Sequence, residues 1–170
     1  MINKKTWLRV LVIVFGMTVI WNLEAQTDSR LNGSWVQNTE GVEFELRLRN
    51  GNFEELYNNI SFRKGTFTTT PRELTIIPTH MHGAGLNFLI ESVAGIDFGL
   101  ESKWYSINEA IITIRAALLK LGASEKEANE FVETALSTND TKSTYSVDGK
   151  TLILVSSMLG QSFTVILTKK

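Results

Sequence analysis

Eight consecutive residues decide the fold, because apolar and charged side chains alternate through them without a break: Val42-Glu43-Phe44-Glu45-Leu46-Arg47-Leu48-Arg49. A period of two residues predicts a β-strand with one dry face and one wet face. The dipeptide Asn50-Gly51 follows at once and is the strongest short signal for a hairpin turn. Residues 53–57 then supply the returning strand, so this part of the chain predicts an antiparallel hairpin.

Similar short strands recur on both sides of this hairpin. The predicted strands span residues 34–38, 42–49, 53–57, 60–70, 74–77, 142–147, 151–156 and 162–168. About eight short strands joined mostly by tight turns indicate a mainly β fold, and we predict an antiparallel up-and-down barrel. The side chains predicted to fill its interior are Phe44, Leu46, Leu48, Phe53, Phe67, Leu152, Leu154, Phe163, Val165 and Leu167.

A helical insertion is predicted over residues 105–138, between strands five and six. Apolar residues recur there at intervals of three and four, which is the spacing of amphipathic helices. Ser106 with Glu109, and Ser124 with Glu127, have the spacing of capping boxes and mark two helix starts. The apolar stripe of this helical hairpin must dock on something, and we expect it to dock on an open end of the barrel.

The first segment has the pattern of a secretory signal, with a basic start, the apolar run 10–21 and the small residue Ala25. The run is shorter than the roughly 20 apolar residues that a membrane-spanning helix needs. We therefore predict a cleaved signal peptide over 1–25 and a barrel domain over 26–170. The mature protein would be periplasmic or secreted, without stable membrane insertion. An uncleaved membrane anchor is the alternative.

The composition excludes several classes of function. The chain contains no cysteine, which removes disulfides, thiolate metal sites and the lipid attachment of bacterial lipoproteins. Its formal net charge is −1, whereas nucleic-acid binding requires a basic patch, so no nucleic-acid partner is expected. Gly-x-Ser-x-Gly, Walker and H-E-x-x-H motifs do not occur, and we expect neither enzymatic activity nor a cofactor.

Carboxylates cluster on two adjacent predicted strands, at Glu43, Glu45, Glu54 and Glu55. Paired acids occur in glycoside hydrolases. However, Glu43 and Glu45 share their face with arginines such as Arg47. We therefore interpret these carboxylates as members of cross-strand ion pairs on the outer face of the barrel.

The tripeptide Gly33-Ser34-Trp35, at the start of the first strand, resembles the opening signature of the lipocalins. In that family the tryptophan packs across the closed end of an eight-stranded up-and-down barrel, so the resemblance implies that Trp35 is a structural plug. The usual lipocalin C-terminal helix has no counterpart here, and the predicted helices lie within the barrel sequence. The chain is therefore more similar to compact, secreted, lipocalin-like barrels of bacteria.

The two histidines of the chain, His80 and His82, form a bare H-x-H motif. If a strand runs through them, both point to the same face and could bind zinc or copper together with a third ligand. Histidines near a strand end are more often structural, and we predict no metal site.

Residues 83–100 are rich in glycine and in large apolar side chains. One interpretation is a satellite core beneath the helical hairpin. The other is a gated apolar mouth, in which Phe88, Phe98, Trp104 and Tyr105 touch a ligand.

Two functions are compatible with these features. We expect an exported, non-enzymatic binding protein, because a small barrel with an apolar interior either fills its lumen or leaves room for one small apolar ligand. The alternative is a protein-interaction module, or an inhibitor of a secreted enzyme. In that case the barrel is packed solid, and the loops and the helical insertion contact a protein partner.

Overall fold

The computed structural model describes residues 27–95, 97–135, 140–158 and 161–170. The predicted signal peptide lies outside these residues. Within them the chain forms, in order, a 3-10 turn (Ser29–Leu31), β1 (Gly33–Thr39), β2 (Val42–Arg49), β3 (Asn52–Tyr57), β4 (Ile60–Thr69), β5 (Glu73–His82), α1 (Gly83–Ala94), β6 (Trp104–Ser106), α2 (Ile107–Lys120), α3 (Glu125–Ala135), β7 (Thr141–Asp148), β8 (Thr151–Met158) and β9 (Gln161–Lys169).

Eight of these strands close into an antiparallel barrel in the order β1-β2-β3-β4-β5-β7-β8-β9, with β9 returning to β1. The short strand β6 is an addition, since β5 pairs with β7 over Glu73–Ile76 and with β6 over His80–His82. The predicted mainly β, up-and-down barrel with a helical insertion between its fifth and sixth strands is confirmed. The insertion also contains α1, a helix that the sequence pattern did not indicate.

The tight turns explain why neighbouring strands are also consecutive in sequence. Asn50 and Gly51 both have positive φ, at 49° and 78°, and so do Asn58 and Asn59, at 48° and 63°. Two left-handed residues in a row match the twist of a hairpin, and asparagine and glycine tolerate that conformation best. The predicted turn at Asn50-Gly51 therefore joins β2 to β3.

Two groups of apolar side chains hold the molecule together. The barrel core lies inside the strands and consists of Leu31, Trp35, Leu46, Leu48, Phe53, Phe67, Leu74, Ile76, Leu152, Leu154 and Leu167. The insertion core lies between the helices and the barrel and consists of Tyr57, Phe62, Met81, Leu86, Ile90, Tyr105, Ala110, Ile114 and Val132. Most of the predicted interior residues are thus members of the barrel core.

The helices of the insertion pack chiefly against β4, β5 and β6. Ser106 caps α2 in a complete capping box with Glu109, as predicted. Arg115 of α2 donates a hydrogen bond of 2.9 Å to Asn129 of α3 and forms an ion pair with Glu125. These contacts join α2 to α3 as a hairpin that covers one side of the barrel end.

Candidate functional site

The end of the barrel at which β1 begins is closed by tight packing. Trp35 and Leu31 have no exposed surface, and the indole Nε1 donates a 2.7 Å hydrogen bond to the carbonyl oxygen of Leu31. The Lys169 ammonium lies 5.1 Å from the centre of the same indole ring. Trp35 therefore occupies the position of a structural plug at this end and offers no surface to a ligand.

Asp28 ties the segment before β1 to this closed end. Its backbone N–H donates to Thr69 at 2.9 Å, and its carboxylate accepts hydrogen bonds from Arg30 and from the Tyr145 hydroxyl, the latter at 3.0 Å. The hydrogen bonds from Arg30 are the main reason that the pKa of Asp28 falls to about 2. The Thr70 carbonyl oxygen lies 3.1 Å from the same Tyr145 hydroxyl, whose single hydrogen is shared between the two acceptors. One phenol thus links Asp28 to the β4–β5 turn.

The barrel wall is incomplete between its first and last strands. β1 pairs with β9 at two positions, Trp35–Lys169 and Val36–Thr168, whereas β8 and β9 pair along their whole length. Among the described residues, the rest of the two facing edges does not pair: these are Gln37–Thr39 of β1 and residues 161–167 of β9. We call this stretch the seam. It lies at the end of the barrel opposite Trp35.

The inward-facing side chains beside the seam are less buried than those at the closed end. Gln37 lies opposite Phe44 on β2, and the strand alternation places both on the face of Leu46, which points into the barrel. Phe163 and Val165 on β9 lie opposite two buried residues of β8 and therefore also face inward. Gln37, Phe44, Phe163 and Val165 are all half-buried. These inward-facing side chains are thus partly accessible to solvent beside the seam.

Phe44 marks the level at which the two cores meet. Its side chain packs against both the barrel core and the insertion core, and its ring centre lies 5.4 Å from that of Tyr57. Burial raises the pKa of Tyr57 well above the usual value of a phenol. Tyr57 therefore stays neutral and contributes a mostly apolar wall to this part of the interior.

Two polar pairs lie inside the barrel. Arg63 and Glu55 form an ion pair in which both residues are less than a tenth exposed. Ser143 and Ser156 are also buried, with 3.0 Å between their hydroxyl oxygens. The interior is therefore apolar but not uniformly so.

The predicted outward position of Glu55 is wrong. Glu55 pairs with Leu46 and shares the inner face of β3 with Phe53 and Tyr57, because alternate residues of a strand point the same way. A β-bulge follows in the β3–β4 pairing, where Glu55 lies opposite Arg63 and Leu56 opposite Ser61. The regular register before the bulge places Arg63 directly opposite Glu55, so the arginine also lies inside, where it pairs with the carboxylate.

Three of the four residues predicted to form a mouth lie together at the insertion core, and the fourth, Trp104, lies apart from them. Tyr105 is buried in the insertion core, and Phe88 and Phe98 pack against that core. Trp104 lies on the other face of β6, where its ring centre is 4.9 Å from that of His82 in a T-shaped arrangement and 4.2 Å from the Lys64 ammonium. Three of the four therefore behave as satellite core.

The sequence did not indicate that the residues beside the seam could contact a ligand. Phe44, Phe163 and Val165 were predicted as interior residues but not as contacts for a ligand, and Gln37 was not singled out. Both alternating sets of β9 contain aliphatic side chains, so its pattern alone did not decide which set faces the lumen.

Strand β5 runs through both histidines, so His80 and His82 share the outer face as the sequence suggested. His80 Nδ1 lies 2.9 Å from the Thr79 hydroxyl, and the buried Nδ1 of His82 has no hydrogen-bond partner among the described residues. Burial is the main reason that the pKa of His82 is lowered; the charge of Glu54 opposes this effect and that of Lys64 adds to it. In the part of the chain that the structure describes, no three acidic or histidine side chains are grouped to hold a metal.

A groove of about 650 Å³ lies on the outer wall over β1, β2 and β3. The carboxylate of Glu45 is almost completely buried there and accepts hydrogen bonds from Arg47 at 2.7 Å and from Lys170 at 3.1 Å. Lys170 also reaches Glu43, and Arg47 reaches Glu54 at 3.6 Å. The predicted ion pairs of the outer face are therefore present for Glu43, Glu45 and Glu54.

Comparisons of the chain with family models, with curated proteins and with solved structures found no match. The antiparallel barrel is established by the structure, and the likeness to lipocalins rests on Gly33-Ser34-Trp35 and on the strand order. In the described parts of the chain, no helix is both long enough and apolar enough to cross a membrane.

Proposed function

We propose that the protein is an exported, lipocalin-like, non-enzymatic binding protein that holds a small apolar ligand in the half of its lumen next to the seam. The observation that carries this proposal is the difference in burial along the barrel. Leu31 and Trp35 at the closed end have no exposed surface, whereas Phe44, Phe163 and Val165 are half-buried although they face inward.

Half-buried apolar side chains on an inner wall favour an apolar ligand for an energetic reason. Each Å² of apolar surface removed from water contributes about 25 cal/mol, so covering two phenylalanine rings and a valine supplies a driving force without any new polar contact. The buried serine pair, Ser143 and Ser156, lies on the same inner face as Phe163. These hydroxyls are engaged already, so the ligand meets mainly hydrocarbon.

A protein-interaction module is the second candidate, and the outer groove favours it. The charged side chains of Glu45, Arg47, Glu54 and Lys170 line this groove and are held in place by one another. A polar segment of a partner protein could bind there while the barrel serves only as a scaffold. This candidate requires no open lumen.

The test is a fluorescence titration of the purified exported protein with a dansylated undecanoic acid. We expect saturable binding by the wild type and at least tenfold weaker binding by Val165→Trp, because a large inward side chain occupies the proposed site. Ile166→Trp is the matched control, since Ile166 is the next residue on β9 and is 54 % exposed.

Folding of each variant is checked by circular dichroism. If Val165→Trp is unstable, Gln37→Trp serves as a second variant in which a large side chain fills the proposed site. Absence of probe binding by the wild type, together with a clean apo mass in native mass spectrometry, would overturn the carrier. Equal weakening by Val165→Trp and Ile166→Trp would place the probe on the outer surface and would also overturn it.

A further inference from the structure

We propose that the ligand enters and leaves through the seam between β1 and β9, and not beneath the helical insertion. This inference rests on the proposed function, because it names the route to the same lumen. It departs from the idea of a mouth formed by Phe88, Phe98, Trp104 and Tyr105, which the structure places on the other side of the barrel.

On the side of the barrel that the insertion covers, hydrogen bonds and close packing hold the insertion in place. The Asn87 side chain exchanges two hydrogen bonds with the backbone of Leu100, at 3.0 and 3.2 Å, and the backbone N–H of Gly83 donates to the carbonyl of Lys103 at 2.9 Å. At Gly85 the helix lies so close to β4 that a Cβ atom would stand 2.3 Å from the Ser61 carbonyl oxygen. Entry on this side would require the breaking of these contacts.

The seam offers far less resistance. Beyond the pairs at Trp35 and Val36, the described residues of β1 and β9 share no ladder pairing, so the two edges can part without breaking backbone hydrogen bonds. A typical hydrogen bond contributes about 0.5–1.5 kcal/mol, and the fully paired β8–β9 hairpin would have to break several of them. The seam is therefore the easier place to open the wall.

On the inside the side chains along this route are apolar except for Gln37, and on the outside those of β1 and β9 are uncharged. Phe44 projects inward from β2, the neighbour of β1, and Phe163 and Val165 project inward from β9. On the outer face the seam carries Asn38 and Ile166, both exposed. Along the seam β1 and β9 thus present no ionisable side chain, while the outer face of the neighbouring β2 carries Glu43 opposite Asn38.

The absence of cysteine from the chain makes a clean test possible. Extending the Val36–Thr168 register by two residues places Asn38 opposite Ile166, where the strands no longer pair. We therefore choose Asn38→Cys with Ile166→Cys to crosslink the seam on its outer face. Oxidation of this variant should slow both uptake and release of the dansylated fatty acid at least tenfold in stopped-flow measurements. Reduction should restore the wild-type rates.

Val36→Cys with Thr168→Cys is the matched control, because it joins the same strands where they already pair. Its oxidation should leave the rates unchanged. Formation of each crosslink is verified by mass, and a short bis-maleimide bridge replaces the disulfide where the two thiols do not reach each other.

The outcomes separate this inference from the proposed function. Unchanged rates in the crosslinked Asn38→Cys/Ile166→Cys protein, with normal probe affinity, would overturn the seam as the route and leave the carrier intact. Failure of the wild type to bind the probe would overturn the carrier itself. Slow exchange in both crosslinked proteins would show a general loss of flexibility and would also contradict the seam.

Discussion

Arg63 lies directly opposite Glu55 on the neighbouring strand, inside the barrel, and its Nε and Nη2 donate hydrogen bonds of 2.6 and 2.8 Å to the two carboxylate oxygens. Burial alone would lower the pKa of Arg63, but the charge and hydrogen bonds of Glu55 outweigh it and raise the pKa. Arg63 therefore stays charged. Each depends on the other, since a buried charge without a partner is strongly unfavourable.

The first prediction concerns this pair. Glu55→Gln should lower the free energy of unfolding by about 3–5 kcal/mol, because it leaves the Arg63 charge buried and uncompensated. Glu55→Leu combined with Arg63→Met should recover most of that loss, because both charges are then gone. Urea unfolding of the single and double variants measures the difference, and a double variant as unstable as Glu55→Gln would contradict the prediction.

The second prediction concerns the closed end. Trp35→Phe removes the indole hydrogen bond to Leu31 and leaves a void in a fully buried site. We expect a loss of about 2–4 kcal/mol, from an unsatisfied buried carbonyl and from reduced packing. Trp104→Phe is the control and should lose less than about 1 kcal/mol, since Trp104 is only half-buried. Equal losses would mean that Trp35 is not the plug.

The third prediction reverses the usual effect of a helix substitution. Replacing glycine by alanine inside a helix ordinarily stabilises it by about 1 kcal/mol. Gly85→Ala should instead lower the melting temperature, because its Cβ would stand 2.3 Å from the Ser61 carbonyl oxygen. Gly95→Ala, at the end of the same helix, meets open space and should show only the strain of its φ of 67°, about 1–2 kcal/mol. An unchanged or raised melting temperature for Gly85→Ala would be evidence against close packing of α1 on β4.

The fourth prediction concerns the stability of the fold at low pH. Because the pKa of Asp28 is about 2 in the folded protein, below its ordinary value of 3.8, its carboxylate stabilises the fold fully above pH about 4. That contribution is lost as the pH falls towards 2. Asp28→Asn should therefore be less stable than the wild type at pH 7, and the gap should close between pH 4 and pH 2. The exposed Asp140→Asn is the control, and a gap that stays constant with pH would refute the role of Asp28.

The strands could be predicted where the alternation of side chains is uninterrupted. Leu46 and Leu48 point inward as predicted, because nothing in β2 disturbs the period of two residues. The outward prediction for Glu55 failed because ionised residues are normally exposed, and the partner that allows its burial sits on another strand. The register that puts Arg63 opposite Glu55 is a property of the β3–β4 pairing, and neither strand shows it alone.

Helix α1 and the seam could not be predicted for related reasons. Residues 83–94 are apolar on most sides and contain two glycines, which disfavour a helix by about 1 kcal/mol each. The helix forms because it packs against β4, a contact that local sequence does not reveal. The seam depends on how far β1 pairs with β9, and no turn links these strands to fix their register.

The joint between β1 and β9 also determines when the molecule can finish folding. Val36 and Thr168 stand at opposite ends of the barrel sequence, so the ring of strands cannot be completed until the last strand has been synthesised. Contacts between such distant residues form slowly, because a long loop must close first. Until then the edge of β1 offers unpaired backbone groups to any other nascent chain, and strand exchange between copies is the failure expected of this topology.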